Sequence, residues 1–287
     1  MMKTRVIFII QVLAAAMSAC HKAEQIVPFG GDSNFFAGVY NPVNRVQALS
    51  CSEHVVGVEC GDYELPDCVR MNWHWSAQHL DSIEVYDNRV NTPGPLTARY
   101  YYDPAGRLSL VESDYTVLNH AYNLQYEGSR LVSIAETFGG WHTDYTFGYD
   151  GEDYPVSLTK HAQGQYAELS DTYTLRWRDG NLVAAVCGPD NDAYTLDSIT
   201  YTYSDRDNPF CGLLSPYFFR QYSIVNAPLF FSKNIPVSIT YHTDNGPMQD
   251  VYYTLQYECT DGVPTQIAHR YSNLYWCDYT DTYTLQY

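Results

Sequence analysis

An aromatic residue that closes a short alternating run and is followed at once by a turn recurs through this chain, and that recurrence limits what it can fold into. The closest copies are "YTLQYECTDGVPTQIA" (253–268), "YTFGYDGEDYPVSLT" (145–159), "YTLRWRDGNLVAAV" (173–186) and "YNLQYEGSRLVSIA" (122–135). Looser copies are "YTYSDRDNPF" (201–210), "LFFSKNIPVSIT" (229–240) and "RYYYDPAGRLSLV" (99–111). The anchors are Tyr102, Tyr126, Tyr149, Trp177, Tyr203, Phe231, Tyr257 and Tyr287, and Trp75 fits one step earlier. "YTLQY" opens the first of these copies and returns as residues 283–287. Self-similarity at a fixed period outranks other local signals, because each copy must be one supersecondary unit.

The physics of one copy follows from period two. In "YTLRW" the side chains of Tyr173, Leu175 and Trp177 share a face, and Thr174 and Arg176 take the other. Asp150-Gly151, Asp179-Gly180 and Asp261-Gly262 supply turn residues that tolerate positive φ. Pro155, Pro236 and Pro264 sit just past the turns, where a missing N–H harms a ladder least. Each unit of ~26 residues is therefore an antiparallel hairpin with one apolar and one polar face. The expected fold is all-β, an antiparallel meander of roughly sixteen strands, curled or barrel-like, since so long an open sheet does not stay flat.

No stretch has helical periodicity, so no helix layer is expected over the apolar face. The sheet either curls inward and buries its Tyr, Leu and Val side chains, or closes with them turned outward into a membrane. Apolar alternation lasts only three or four positions per strand, short of the ~25 Å band that faces lipid. The inward form is the expectation.

The run "Y-D-x-x-G-R-L" at Tyr102 to Leu108, with its relaxed copies, resembles the tyrosine–aspartate (YD, RHS-like) repeats of secreted bacterial shell proteins. Together with the leader described next, it is similar to an uncharacterised family of lipidated Gram-negative envelope proteins with degenerate hairpin repeats. The resemblance covers about residues 70 to 287 and implies a porin-like or curled β fold, with no catalytic motif to carry over.

"MMKTRVIFIIQVLAAAMSAC" has a basic start in Lys3 and Arg5, a mostly apolar run from Val6 to Ala16, and small residues before Cys20. That is a secretory signal, too short for a membrane span, and its end resembles a lipobox, which implies cleavage before Cys20 and lipid attachment to it. The domain reading is a signal peptide over 1–19, the lipidated Cys20 and a linker over 20–39, an irregular region over 40–72 holding Cys51, Cys60 and Cys68, and the repeated-hairpin domain over 73–287. The implied address is the outer membrane, lipid-anchored and surface-exposed, with the periplasmic face as the alternative.

The formal net charge of −17 grows by two units when Lys3 and Arg5 leave with the signal. Nucleic acid as a partner is excluded, because its recognition needs a basic footprint. Seven cysteines remain beyond Cys20, an odd number, and a local disulfide among Cys51, Cys60 and Cys68 is the preferred pairing. Those three have no C-x-x-C spacing and no close histidine, so no zinc site is expected and no cofactor is called for.

Candidate ligand residues lie where strand ends meet loops. His161, His242 and His269 follow Pro155, Pro236 and Pro264 by five or six positions, which puts them at the rim opposite the Asp-Gly turns. His142 belongs to "HTD" (142–144), a tripeptide repeated at 242–244, and Trp141 precedes it. Trp73, Trp75, Trp141 and Trp276 are aromatic surfaces suited to stacking on sugars. No G-x-S-x-G, H-E-x-x-H or phosphate-cradling loop occurs. The expected function is binding or structural, toward a glycan, another ligand or a protein, with the membrane met through the lipid anchor. An outer-membrane β-barrel pore is the alternative, and a cryptic hydrolase comes third.

Overall fold

The computed structural model describes residues 33–42, 44–57, 61–77, 79–89, 94–114, 120–151, 153–164, 168–189, 196–214, 228–243, 251–260, 263–272 and 277–287. The signal, Cys20, Cys60, Trp276 and the Asp261-Gly262 turn lie outside these residues.

Sixteen strands form the wall. The first six are β1 (Ala48–Gly57), β2 (Gly61–Trp75), β3 (Leu80–Asp87), β4 (Leu96–Tyr102), β5 (Leu108–Ser113) and β6 (His120–Glu127). The next five are β7 (Arg130–Phe138), β8 (Trp141–Gly148), β9 (Ser157–Gln163), β10 (Glu168–Arg178) and β11 (Asn181–Cys187). β12 (Leu196–Asp207), β13 (Asn234–Thr243), β14 (Val251–Thr260), β15 (Val263–Ser272) and β16 (Cys277–Gln286) complete it. Every strand pairs with its sequence neighbours, and β1 pairs antiparallel with β16 from Ala48↔Gln286 to Gly57↔Cys277, which closes the barrel. The expected all-β antiparallel meander is what forms. The stretch 40–72, read as irregular, contributes β1 and most of β2, the two strands at the closing seam.

The alternation sorts the wall as its period dictates. On β10 Asp171, Tyr173 and Leu175 are buried while Glu168, Ser170, Thr172, Thr174, Arg176 and Arg178 are exposed. On β8 Thr143, Tyr145 and Phe147 are buried, and on β16 Asp281, Tyr283 and Leu285. The Tyr, Leu and Val face thus lies inside, continuous with the single apolar core. Among the described residues the large apolar side chains left exposed are Val56, Tyr63, Leu65, Tyr86, Tyr101, Trp141 and Tyr287, scattered rather than belted.

The repeat acquires a mechanism at the turn end of the barrel. At each of four anchors the return strand carries one extra residue, so Trp75 faces Leu80, Tyr102 faces Leu108, Tyr126 faces Leu131 and Trp177 faces Leu182 across a bulge. The bulge frees the leucine carbonyl from the ladder, and the next anchor takes it. The Tyr102 hydroxyl donates to Leu80 O at 2.9 Å, Tyr126 to Leu108 O at 2.7 Å and Tyr149 to Leu131 O at 2.7 Å. Trp177 Nε1 donates to Pro155 O at 2.6 Å and the Tyr287 hydroxyl to Pro264 O at 2.8 Å, so tryptophan serves as an anchor because it too ends in a donor.

The "D-x-x-G-R-L" half is equally legible. Asp103 accepts from the Ala105 and Arg107 backbone N–H groups and pairs with the Arg107 guanidinium. That guanidinium then lies 4.5 Å over the ring of the next anchor, Tyr126, and Arg130 lies 5.3 Å over Tyr149 in the same way. At Asp179-Gly180 both residues have positive φ, 52° and 79°, as a two-residue hairpin turn with primed geometry needs.

Phe231 is a correction. It was expected to be an anchor, but it ends a four-residue helix, Pro228–Phe231, within an insertion between β12 and β13. The next aromatic of the series to close a strand after Tyr203 is Tyr257 on β14, where the bulge falls opposite Cys259 instead. Phe231 instead packs in the end of the barrel with Phe35 and Phe36, which sit in a 3-10 turn (Phe35–Ala37) capped by the Asn34 side chain. Phe36 stands edge-on to Phe147 and Trp177 at 5.6 and 5.4 Å. The segment before β1 therefore plugs the turn end, fixed further on by Trp75 Nε1 donating to Val46 O at 2.8 Å.

Candidate functional site

Two groups of polar side chains occupy the half of the barrel away from the anchors, one inside the wall and one on its outer rim.

The inner group follows from parity. Glu53, Asp281 and His269 lie opposite one another on β1, β16 and β15, all at inward positions and all buried. Arg89, just beyond β3, enters this layer, with its guanidinium 3.2 Å from Glu53 and bidentate to Asp87 at 2.8 Å on each oxygen. On the opposite arc His120 Nε2 meets Glu136 Oε1 at 2.7 Å and the Tyr145 hydroxyl donates to Glu136 Oε2 at 2.9 Å. Burial alone would raise the Glu136 carboxyl, but these hydrogen bonds, with one from Tyr122, overcome it and hold the group below its ordinary range. Burial pushes the Tyr145 phenol well up, and the Glu136 charge adds to that. Next along the wall, Lys160 on β9 faces Asp171 on β10 at 3.6 Å.

These acids were missed in the sequence, although Asp171 is in phase with Tyr173 and Leu175, and Asp281 with Tyr283 and Leu285. Asp171 and Asp281 are 1 % and 2 % exposed, so this layer is enclosed by the wall and offers little to a ligand from outside. Among the described residues no three His, Cys, Asp or Glu side chains converge on a metal-sized site.

The rim group is accessible. Trp141 opens β8 at the end opposite the anchors and is 42 % exposed. One face of its indole rests on Gly164, where even a single Cβ would collide with the ring at 2.7 Å. On the outer face of the adjacent strands His142 Nε2 meets Asp144 Oδ1 at 3.0 Å, Asp144 lies opposite His161, and His161 Nε2 is 3.3 Å from Glu168 Oε1. Trp141 is in phase with the inward residues Thr143, Tyr145 and Phe147, so the aromatic plate stands on the inner side of the mouth and the row of imidazoles and carboxylates on the outer face of the same strands. The plate can stack on an apolar ring face, and the row can exchange hydrogen bonds with hydroxyls.

Of the five rim candidates, the structure places Trp141, His142 and His161 at one end of the adjacent strands β8 and β9, with the histidines on the outer face and Trp141 on the inner phase. His242 is also on the outer face, but on β13, where it meets the Thr200 hydroxyl at 2.9 Å. His269 is corrected: it points into the barrel and is 8 % exposed. It lies five residues past Pro264, where His161 and His242 lie six past Pro155 and Pro236, and in a strand that one-residue difference turns the side chain to the opposite face. Trp73 and Trp75 are core residues, Trp73 buried and Trp75 against Tyr40 at 5.6 Å. Glu168 was missed, since no pattern ties it to His161 across the intervening loop.

The fold and this rim define a closed antiparallel β-barrel, apolar within and polar without. No protein-family model matches the chain, and no curated protein does. Among solved structures it is similar to a porin-like protein from Bacteroides uniformis ATCC 8492, at 14% identity, covering 84% of this chain and 96% of that one, with a TM-score of 0.38. It is also similar to a porin-like protein from Bacteroides vulgatus ATCC 8482, at 10% identity, covering 84% and 98%, with a TM-score of 0.39.

Proposed function

We propose that this chain is a lipid-anchored protein of the outer membrane, surface-exposed, whose barrel stands in water and binds a glycan at the rim around Trp141. The lipobox-like end of the leader supports the anchor, and the polar outer wall supports the aqueous setting.

The observation that carries the binding role is the open face of Trp141. Its other face is already filled by Gly164, and His142, Asp144, His161 and Glu168 supply donors and acceptors on the outer face of the wall at the same end. A large, stiff aromatic plate left open at a barrel mouth binds a sugar ring at low entropic cost. The test is affinity electrophoresis of the purified chain through gels containing soluble β-glucan, α-glucan, mannan or xylan. Retardation by at least one of them, lost in Trp141→Ala at unchanged melting temperature, supports the reading. No retardation by any, or equal retardation of the variant, contradicts it.

A second reading, a barrel that spans the outer membrane as a pore, is favoured by closure itself: an even number of antiparallel strands with a paired seam is a form that lipid demands. A wall facing lipid carries apolar residues outward, so the two readings part on one property, the solubility of the folded chain without detergent.

A further inference from the structure

β2 breaks its alternation at one place. From Gly61 to Asp67 every residue is exposed, and then Cys68 and Val69 are buried in succession. The cause is a bulge. Cys51 on β1 lies opposite Val69, but Glu53, two positions on, lies opposite Leu65, so Pro66, Asp67 and Cys68 together face Ser52. Asp67 adopts φ 46°, a left-handed conformation that few non-glycine residues take.

Three hydrogen bonds hold this shape. The Ser52 hydroxyl accepts from Asp67 N–H at 3.1 Å, the Asn88 side-chain amide donates to Asp67 O at 3.2 Å, and Asn88 N–H donates to Cys68 O at 2.8 Å. Their result is to turn the Cys68 thiol inward, onto β1, where it donates to the Cys51 carbonyl at 3.3 Å. Both cysteines are free and buried here. A strained backbone kept in place by its surroundings needs a purpose, and what this one achieves is a contact between two sulfur side chains.

We infer that Cys51 and Cys68 form a disulfide in the exported protein, tying β1 to β2 at the strand that closes the barrel. The inference rests on the exported address of the proposed function. The thiolate of Cys68 attacks the disulfide of an envelope thiol–disulfide oxidant, giving a mixed disulfide, and Cys51 displaces the second sulfur. Each cysteine loses its proton, and the electron pair leaves on the oxidant, which departs as a dithiol. The hydrogen bond from Cys51 and the nearby Arg89 charge favour the thiolate at Cys68, while the same hydrogen bond and burial push the Cys51 thiol far up, which makes it the resolving partner.

The bond would join two cysteines 17 positions apart in the chain. β1 joins β2 on one side and β16 on the other, so fixing it to β2 holds half of the seam before β16 arrives.

The full chain, exported through its own leader, is purified without reductant, alkylated in denaturant and digested. The expected result is that Cys51 and Cys68 escape alkylation and their peptides travel as one species, two hydrogens lighter than the pair of thiol peptides. Reductant should then lower the melting temperature by about 5–10 °C, an effect absent from Cys68→Ser. Alkylation of both residues, or pairing of either with Cys60, overturns the inference. The reduced protein exposed to oxidised glutathione separates the two grounds. If the bond fails to close there, the geometry is wrong; if it closes there but is absent from the exported protein, the address is wrong.

Discussion

The Tyr126 hydroxyl donates to the carbonyl of Leu108 at 2.7 Å, and Arg107, the residue before that leucine, lies 4.5 Å over the Tyr126 ring. One hairpin thus grips the anchor of the next through two adjacent residues, and the tyrosine–aspartate pattern is the sequence record of that grip. Tyr126→Phe keeps the ring and removes the donor, leaving a bulge carbonyl unpaired. The expected loss is about 1–2 kcal/mol, read as a lower urea midpoint at unchanged slope. Arg107→Ala should cost a comparable or smaller amount, about 0.5–1 kcal/mol from the ring contact.

The plug predicts a larger effect. Phe36 contacts Phe147, Tyr154, Trp177 and Phe231 within 6.2 Å and is 3 % exposed. Phe36→Ala should destabilise the barrel by about 3–5 kcal/mol, measured by thermal or urea unfolding. A loss below 1 kcal/mol would mean that the segment before β1 only rests on the barrel.

Lys160 and Asp171 test the inner polar layer. Lys160→Met leaves a carboxylate buried beside an apolar neighbour, and about 2–3 kcal/mol should be lost, at the low end because the Lys160 side chain is 20% exposed. Lys160→Met with Asp171→Leu should recover most of it, since an apolar pair of similar volume replaces the ion pair without leaving a charge behind. Urea midpoints of the two variants decide between this and simple loss of packing.

Acid should weaken the wall through Glu136. Burial opposes its charge, but the hydrogen bonds from His120, Tyr145 and Tyr122 prevail and depress the folded-state value. The unfolded chain therefore binds this proton first. The stabilisation is complete above the ordinary carboxylate value of about 4.3 and is lost as pH falls through the lower folded value. The wild type should lose more in urea midpoint between about pH 5 and pH 3 than Glu136→Gln does; equal losses would remove Glu136 from the account.

Period two carried most of this architecture. Strand number and antiparallel order follow from the repeated alternation, and the inward direction of the Tyr and Leu face from how few positions that alternation lasts in each strand. Phe231 shows where spacing alone deceives. The insertion between β12 and β13 has nearly the length of one repeat, so the interval from Tyr203 to Tyr257 is twice the usual step and an aromatic at its middle passes for an anchor. The stretch Pro228-Leu229-Phe230-Phe231 has four apolar residues in a row and no alternation, which was the available warning.

Distance from the Asp-Gly turns put Trp141, His142 and His161 at one end of the barrel, on β8 and β9, but said nothing of which face each takes. Parity separates the histidines that offset had grouped: His161 is out of phase with the buried Leu158, whereas His269 is in phase with the buried Ile267. Glu168 and the Cys68 bulge were beyond reach, since one depends on a cross-strand register and the other on a left-handed Asp67 that no short pattern announces.

The most direct measurement takes the chain from His21 onward, without its lipid, and refolds it in buffer free of detergent. The expected product is a monodisperse, β-rich monomer with a cooperative unfolding transition, because the apolar face is already covered within the barrel. Aggregation in buffer together with folding only in detergent or bilayers would contradict it, and would turn the wall outward to lipid.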